Sequence, residues 1–190
     1  MSAYDLPKST IVNGTEYEIR SDYRAVLDVL MILDDIELTD EERGALAMEV
    51  FYPAFTVDMP PSDYEKASEY LIWFVSGGDL QGSKPKRKLA DWQQDFPIIV
   101  NPVNRVLGYE IRDVEYLHWW TFLAAYYEIG DCLFAQVVAI RNKKSKHKKL
   151  EKWEREFYNE NRELVDFKQK ETDAEKLIFD KWIGSAKEGE

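Results

Sequence analysis

The sequence predicts a mainly α protein, a multi-helix bundle with a small N-terminal β-hairpin. Apolar residues recur at three- and four-residue steps through most of the chain. Helix-start signals precede those runs, and Gly or Pro follows them. The one clear β signal is Asn13-Gly14 between Thr10-Ile11-Val12 and Thr15-Glu16-Tyr17-Glu18-Ile19. Both turn positions of a two-residue hairpin need positive φ, which Asn and Gly tolerate best.

The elements follow in order. Ser21 or Asp22 caps a first helix whose apolar face is Tyr23, Val26, Leu27, Leu30 and Leu33. Thr39 and Glu42 form a capping box for a second, with Leu46 and Val50 inward and Pro53 as its stop. Pro60-Pro61 breaks the chain. Ser62 with Glu65 reads as another capping box, for a helix carrying Tyr64, Ala67, Leu71, Phe74 and Val75 and ending at Gly77-Gly78. A fourth helix starts near Ala90-Asp91 and ends at Gly108. Pro97 and Pro102 imply either a late start capped by Asp95 or a kink. Tyr116, Trp119, Trp120, Leu123 and Tyr127 then form one broad helical face. Phe134, Val137, Val138 and Arg141 belong to the next helix. From Leu150 through Trp153, Phe157, Asn161, Leu164 and Phe167 the pattern is one amphipathic helix of ~20 residues. Leu177, Ile178, Trp182 and Ile183 suggest a last short helix. The chain divides into 1–78, hairpin plus helices; 79–89, a polar linker expected to be mobile; and 90–190, a helical region. The two flanking parts forming one combined domain is the alternative.

Net charge is −11, from 36 acidic and 25 basic side chains. An acidic field of that size repels phosphate backbones and anionic lipid, so a general nucleic-acid binder is disfavoured. The N-terminus shows no secretion signal. No apolar stretch approaches the ~18 residues that suggest a membrane span. Cys132 is the sole cysteine; it reads as a small buried residue rather than a nucleophile. His118 beside Trp119 and Trp120 reads as a packed residue or a polar handle, because a catalytic base needs a partner and a cleft. The stretch Gly77 to Lys84 ends in Ser-Lys and follows a helix, so it is no phosphate-binding loop. Paired acids such as Asp34-Asp35 and Asp40-Glu41-Glu42 fall at helix ends. No catalytic, cofactor-binding or metal-binding residues are assigned, and no enzyme is expected. Between Arg141 and Arg155, eight Lys or Arg stand against two Glu. Such a run grips phosphates, binds an acidic protein surface, pairs with the acidic remainder of the chain, or is a solvated face.

From Asp91 onward the order of motifs becomes specific. The chain reads Asp91-Trp92-Gln93-Gln94-Asp95-Phe96-Pro97-Ile98-Ile99, then Leu107-Gly108-Tyr109-Glu110-Ile111, then Leu117-His118-Trp119-Trp120-Thr121-Phe122-Leu123. Ile140-Arg141 and Glu156-Phe157-Tyr158 follow. This resembles the bacteriophage gene-product-fifteen family of Gram-positive tailed phages and prophages. That family shows an Asp-led helix, a Tyr-Gly-Ile-Asp-like motif, a Leu-His-Trp-Trp-x-Phe core and an Ile-x-x-Arg-like segment. Leu107 to Arg112 departs from the usual order, so no role is carried onto it. The resemblance implies a non-catalytic protein of the tail morphogenesis cluster in the host bacterial cytoplasm, a tail assembly chaperone or accessory factor binding the tape-measure protein. The partner surface expected on that reading is Trp153, Phe157, Leu164 and Phe167, with Lys143, Lys144, Lys148 and Lys149 beside them. The competing reading folds the same helix onto the core. A structural virion protein of the tail or connector, and a nucleic-acid-binding regulator, are the alternatives. Whether the chain forms a homo-oligomer stays open.

Overall fold

A computed structural model describes residues 5–78 and 88–168. The short helix expected around Leu177 to Ile183 and most of the expected linker lie outside the described residues. Strands β1 (Ser9–Val12) and β2 (Thr15–Glu18) pair antiparallel, with Thr10 opposite Tyr17 and Val12 opposite Thr15. Asn13 at φ 50° and Gly14 at φ 89° make the turn, as the sequence predicts. A lone hairpin is marginal and must dock. This one buries Thr10, Val12 and Tyr17. Its tip is tied to the Asp63 carboxylate by Asn13 Nδ2 at 2.9 Å and the Tyr17 hydroxyl at 2.8 Å.

Helix α1 (Tyr23–Leu33) is capped by Asp22, which accepts from the Arg24 amide at 3.0 Å. The other Asp22 oxygen accepts from the Leu117 amide at 2.9 Å, so one carboxylate ties positions 95 residues apart. Helix α2 (Asp40–Phe51) has the predicted Thr39/Glu42 capping box and stops before Pro53. Its inward face is only partly the predicted one. Val50 packs half-buried on the core, but Leu46 is 39% exposed and the buried residues are Ala47, Met48 and Phe51. The pairs Leu46–Val50 and Ala47–Phe51 both repeat at a four-residue step, and packing on α1 decides between them. The Ser62/Glu65 capping box does not form. Pro61–Asp63 is a 3₁₀ turn instead, with the Ser62 hydroxyl donating to Asp63 at 3.1 Å. Helix α3 (Tyr64–Val75) follows, burying Ala67, Leu71 and Phe74 and leaving Tyr64 at the surface.

Helix α4 (Trp92–Leu107) starts at Asp91, which accepts from the Gln94 amide at 2.8 Å, and runs through both prolines to Gly108 at φ 80°. The late start at Asp95 is therefore wrong. Asp95 lies inside the helix and is fully buried. Helix α5 (Trp119–Tyr127) begins at His118. Tyr116 thus precedes the helix, its hydroxyl 2.8 Å from that of Ser21, and Tyr127 points outward at 72% exposure. The buried face of α5 is Trp119, Phe122, Leu123 and Ala125. Its two tryptophans finish α3: the Trp119 indole donates to Val75 O at 3.0 Å and the Trp120 indole to Phe74 O at 2.9 Å. Those carbonyls belong to the last turn of a helix, where intrahelical donors run out; Phe74 O accepts from the Gly77 amide as well, at 3.0 Å. Gly77 (φ 76°) then turns the chain so close to Leu123 that a Cβ would sit 2.9 Å from its methyl.

His118 is 2% exposed. Nδ1 accepts from the Trp120 amide at 3.0 Å, and Nε2 lies 3.0 Å from Pro7 O, which can only accept. The ring is therefore neutral with its proton on Nε2. Burial lowers its pKa from the ordinary 6.5.

Tyr23 stacks on Phe122 at 5.0 Å, and Phe122 on Trp119 at 5.5 Å. One apolar core runs from Val12 on the hairpin to Phe134, so residues on both sides of the 79–89 stretch share it. A second cluster gathers Val137 and Ile140 of helix α6 (Leu133–Ser145) with Val165. Cys132 is half-buried rather than buried and acts as the α6 cap, its sulfur accepting from the Ala135 amide at 3.4 Å. The single amphipathic helix expected beyond Leu150 is two: α7 (Lys152–Glu160) and α8 (Arg162–Val165). At the break, the Asn161 side chain and amide both donate to Phe157 O, at 2.9 and 3.0 Å. The amide keeps its helical bond and the side chain adds a second donor to the same carbonyl, while the Asn161 backbone leaves helical geometry at φ −127°, ψ 39°.

The arm α7–α8 is fastened by Arg141. Its guanidinium donates to both Asp95 oxygens at 2.5 and 2.9 Å, to Leu89 O at 3.1 Å, to Leu164 O at 2.9 Å and to Val165 O at 2.7 Å. Arg141 and Asp95 side chains are 3% and 0% exposed. Arg141→Ala would leave a buried carboxylate unpaired and is expected to cost about 3–5 kcal/mol, read from urea unfolding. The His118 geometry sets a pH dependence. Its stabilisation is complete above pH 6.5 and is lost as pH falls below that value, where the unfolded chain takes up a proton more readily. The melting temperature is expected to fall from pH 6.5 towards the carboxylate range, and His118→Asn, which keeps a cap acceptor, should remove that step.

Candidate functional site

The sequence places the candidate surface on the end of α6, the basic turn after it and the α7–α8 arm. The structure divides seven of those eight residues into three groups and sets Phe167 apart. Phe157 and Leu164 turn inward and pack, half-buried, on Val137, Ile140 and Val165. Lys143 and Lys144 are ion-paired within the chain. Lys143 Nζ donates to Glu154 at 2.7 Å, and Glu154, only 3% exposed, also accepts from the Glu151 amide at 2.8 Å. The Lys143 ammonium holds that carboxyl below its usual range. Lys144 pairs with Asp166 and lies 3.7 Å over the Tyr158 ring, whose hydroxyl donates to the same carboxylate at 2.8 Å. Burial works against the charged Lys144, yet the bond to Asp166 prevails and its pKa is raised. Trp153, Lys148 and Lys149 face solvent, Trp153 at 54% exposure. Phe167 is 37% exposed, with the Arg141 guanidinium stacked 4.2 Å from its centre.

Backbone geometry accounts for part of the basic run. The His147 amide donates to Lys144 O at 3.0 Å and the Lys148 amide to Lys143 O at 2.9 Å. These are the two bonds of a Schellman helix end, with His147 in the left-handed position at φ 53°. Lysines gathered at a helix C-terminus also complement its dipole.

A second surface was not marked by the sequence. A groove of about 360 Å³ opens between α1 and α4, lined by Tyr23, Leu27 and Met31 on one side and Trp92 and Phe96 on the other. Arg24, Asp28, Gln93 and Arg112 border it. Arg24 is engaged with backbone carbonyls, Val114 O at 2.7 Å among them, and Arg112 with Glu110 at 2.7 Å. The Arg112 hydrogen bond drives the Glu110 carboxyl down to about 2. The apolar surroundings of Asp28 push its carboxyl up. The available signal was the four-residue step from Trp92 to Phe96 facing that from Leu27 to Met31, two stripes that only the tertiary fold brings together. Neither surface holds a nucleophile with a base, and among the described residues no cluster of His, Cys, Asp or Glu is arranged to hold a metal ion. No helix among them is long and apolar enough to cross a membrane.

The left-handed His147 yields a direct test of the helix-end geometry. His147→Gly is expected to stabilise by about 0.5–1 kcal/mol, since glycine adopts that φ without the Cβ penalty. An unchanged or lowered urea midpoint would mean that the imidazole contributes as much as its backbone strain costs.

Comparison with curated proteins and with solved structures returns no match. The family model described as bacteriophage Gp15 protein matches residues 4–167, from the hairpin through the arm that ends at Phe167. That span takes in both halves of the core, the Asp91-led helix, the Leu-His-Trp-Trp stretch and the Arg141 anchor. The chain belongs to the bacteriophage Gp15 protein family.

Proposed function

We propose that this phage protein acts without catalysis in tail morphogenesis, as an assembly chaperone or accessory factor that binds the tape-measure protein in the host cytoplasm. The observation that carries the reading is Trp153, exposed on an arm that packs Phe157, Leu164 and Val165 on Val137 and Ile140 and is fastened to the core by Arg141. Tryptophan is the side chain most enriched at interface hot spots. The exposed Lys148 and Lys149 precede it in the chain and add the charge that steers association. Long helical proteins expose apolar faces before they are enclosed, and such faces aggregate. A rigid aromatic on a helix gives them a reversible contact. In this reading Trp153, Lys148 and Lys149 form the contact, Phe167 adds a second exposed aromatic of the arm, stacked on the Arg141 guanidinium, and Phe157, Leu164, Lys143 and Lys144 hold the arm in shape.

Co-expression with the tape-measure protein of the same gene cluster tests it by co-purification and by the partner's solubility. Trp153→Ala is expected to lower recovery of the partner at least ~10-fold, a loss of about 1.4 kcal/mol, while leaving the urea midpoint nearly unchanged. Phe157→Ala should instead cost about 2 kcal/mol of stability, because it opens the second cluster. A tape-measure protein that stays soluble alone and does not co-purify would sink the reading.

A further inference from the structure

Two surfaces of opposite charge stand without a partner among the described residues. The first is the basic arm. From Arg141 to Arg155 eight Lys or Arg face two Glu, a local +6 in a chain whose total is −11, so the remaining residues together hold −17. Within that run Lys148, Lys149, Trp153 and Arg155 are exposed, and none of these three cations is ion-paired among the described residues. The second is the groove between α1 and α4, which continues past Met31 and Trp92 to Asp34, Lys88 and Asp91. Its arginines are engaged, Arg24 with Asp22 at 3.2 Å and Arg112 with Glu110 at 2.7 Å. Lys88 lies 2.8 Å from Asp34 and 3.0 Å from Asp91, so one cation serves two carboxylates. Asp28, exposed on the rim, has no ion-pair partner among the described residues. One negative charge at Asp28 and one left over at Asp34 and Asp91 therefore border the apolar side chains of the groove.

A single chain cannot bring the two surfaces together. Gln94 and Asp95 hold the arm, whereas Trp92, Gln93 and Phe96 line the groove. At roughly 100° per residue these two sets lie on opposite sides of α4.

We propose that the α1–α4 groove takes the basic arm of a second copy of this chain, with Trp153 of one copy against Leu27, Met31, Trp92 and Phe96 of the next. Lys148, Lys149 and Arg155 then meet Asp28 and the Asp34–Asp91 end of the groove. Opposite fields draw these unlike patches together, and like charge keeps groove from groove and arm from arm. Each copy carries the two patches on opposite sides of α4, so the contact is head to tail. Such a contact closes into a ring or continues as an open chain rather than stopping at a two-fold dimer. One tryptophan and its rim make a small interface, below about 1,200 Å² in total, so the association is weak and concentration-dependent. The inference needs only this chain. Its one consequence for the proposed function, that self-association covers Trp153 until a partner takes it, rests on the tape-measure reading.

Sedimentation velocity of the purified full chain, with no other protein present, tests it. The unaltered protein is expected to grow past two copies as its concentration rises towards roughly 1 mM. Growth should be weaker in ~1 M salt, where the Debye length falls to about 3 Å. Trp153→Ala should weaken association at least ~10-fold, and so should a change on the groove side, Asp28→Lys at the exposed rim or Met31→Arg in the wall. Urea midpoints identify the groove variant that keeps its fold. Mixing that variant, which retains its arm, with Trp153→Ala, which retains its groove, should restore a single contact and stop at a dimer. A chain that stays single up to roughly 1 mM overturns the inference. Association that survives Trp153→Ala or a folded groove variant also overturns it, as does a mixture of two folded variants that fail to pair.

Discussion

The Arg141–Asp95 pair fastens the α7–α8 arm to α4. Removing two charges from water costs several kcal/mol per ion, and only good geometry with every donor used offsets that. Here all five guanidinium hydrogens have acceptors on Asp95, Leu89, Leu164 and Val165. Asp95 accepts in addition from the Asp91 amide at 2.8 Å. Among the described residues no buried side-chain nitrogen or oxygen lacks a partner. A lysine has three donors around one point and could not serve two carbonyls, a third on another segment, and both oxygens of a carboxylate at once.

The pair matters because the apolar part of the arm is small. Only Val137, Ile140 and Val165 are fully buried in the second cluster. The arm is held mostly by directional contacts: Arg141 and Gln94 on the backbone of 163–166, Lys143 on Glu154, and Lys144 with Tyr158 on Asp166. Directional contacts fix orientation more sharply than an apolar patch does. The direction in which Trp153 faces, and the point where the chain leaves at Lys168, are therefore set by hydrogen bonds rather than by packing.

Local signals in the sequence located the elements well. Asn13-Gly14, Asp22, the Thr39/Glu42 box, Gly77 and Gly108 each act within a few residues, and each is where its pattern places it. The errors came where a distant partner decides. Asp95 looked like a helix cap because its countercharge lies 46 residues away. Ala47 and Phe51 turned fully inward while Leu46 stayed exposed, because packing on α1 decides between neighbouring four-residue stripes. Asn161 falls on the apolar stripe of a continuous helix, but its side chain takes the Phe157 carbonyl and lets Val165 reach the second cluster. For the candidate site, spacing identified the amphipathic arm. It could not say that Phe157 and Leu164 face inward while Trp153 faces out.

The anchor fixes where the arm sits against α4 and α6. Its loss would disturb the whole arm, so an Arg141 variant cannot isolate what Trp153 does. A substitution at exposed Trp153 leaves the anchor in place, because additivity holds for sites with no shared partner. The order of the contacts also suggests why an ion pair is used where a leucine pair would fill the same volume. Apolar packing would tolerate a shift of the arm by one turn, whereas Leu164 O and Val165 O meet the guanidinium in one register only.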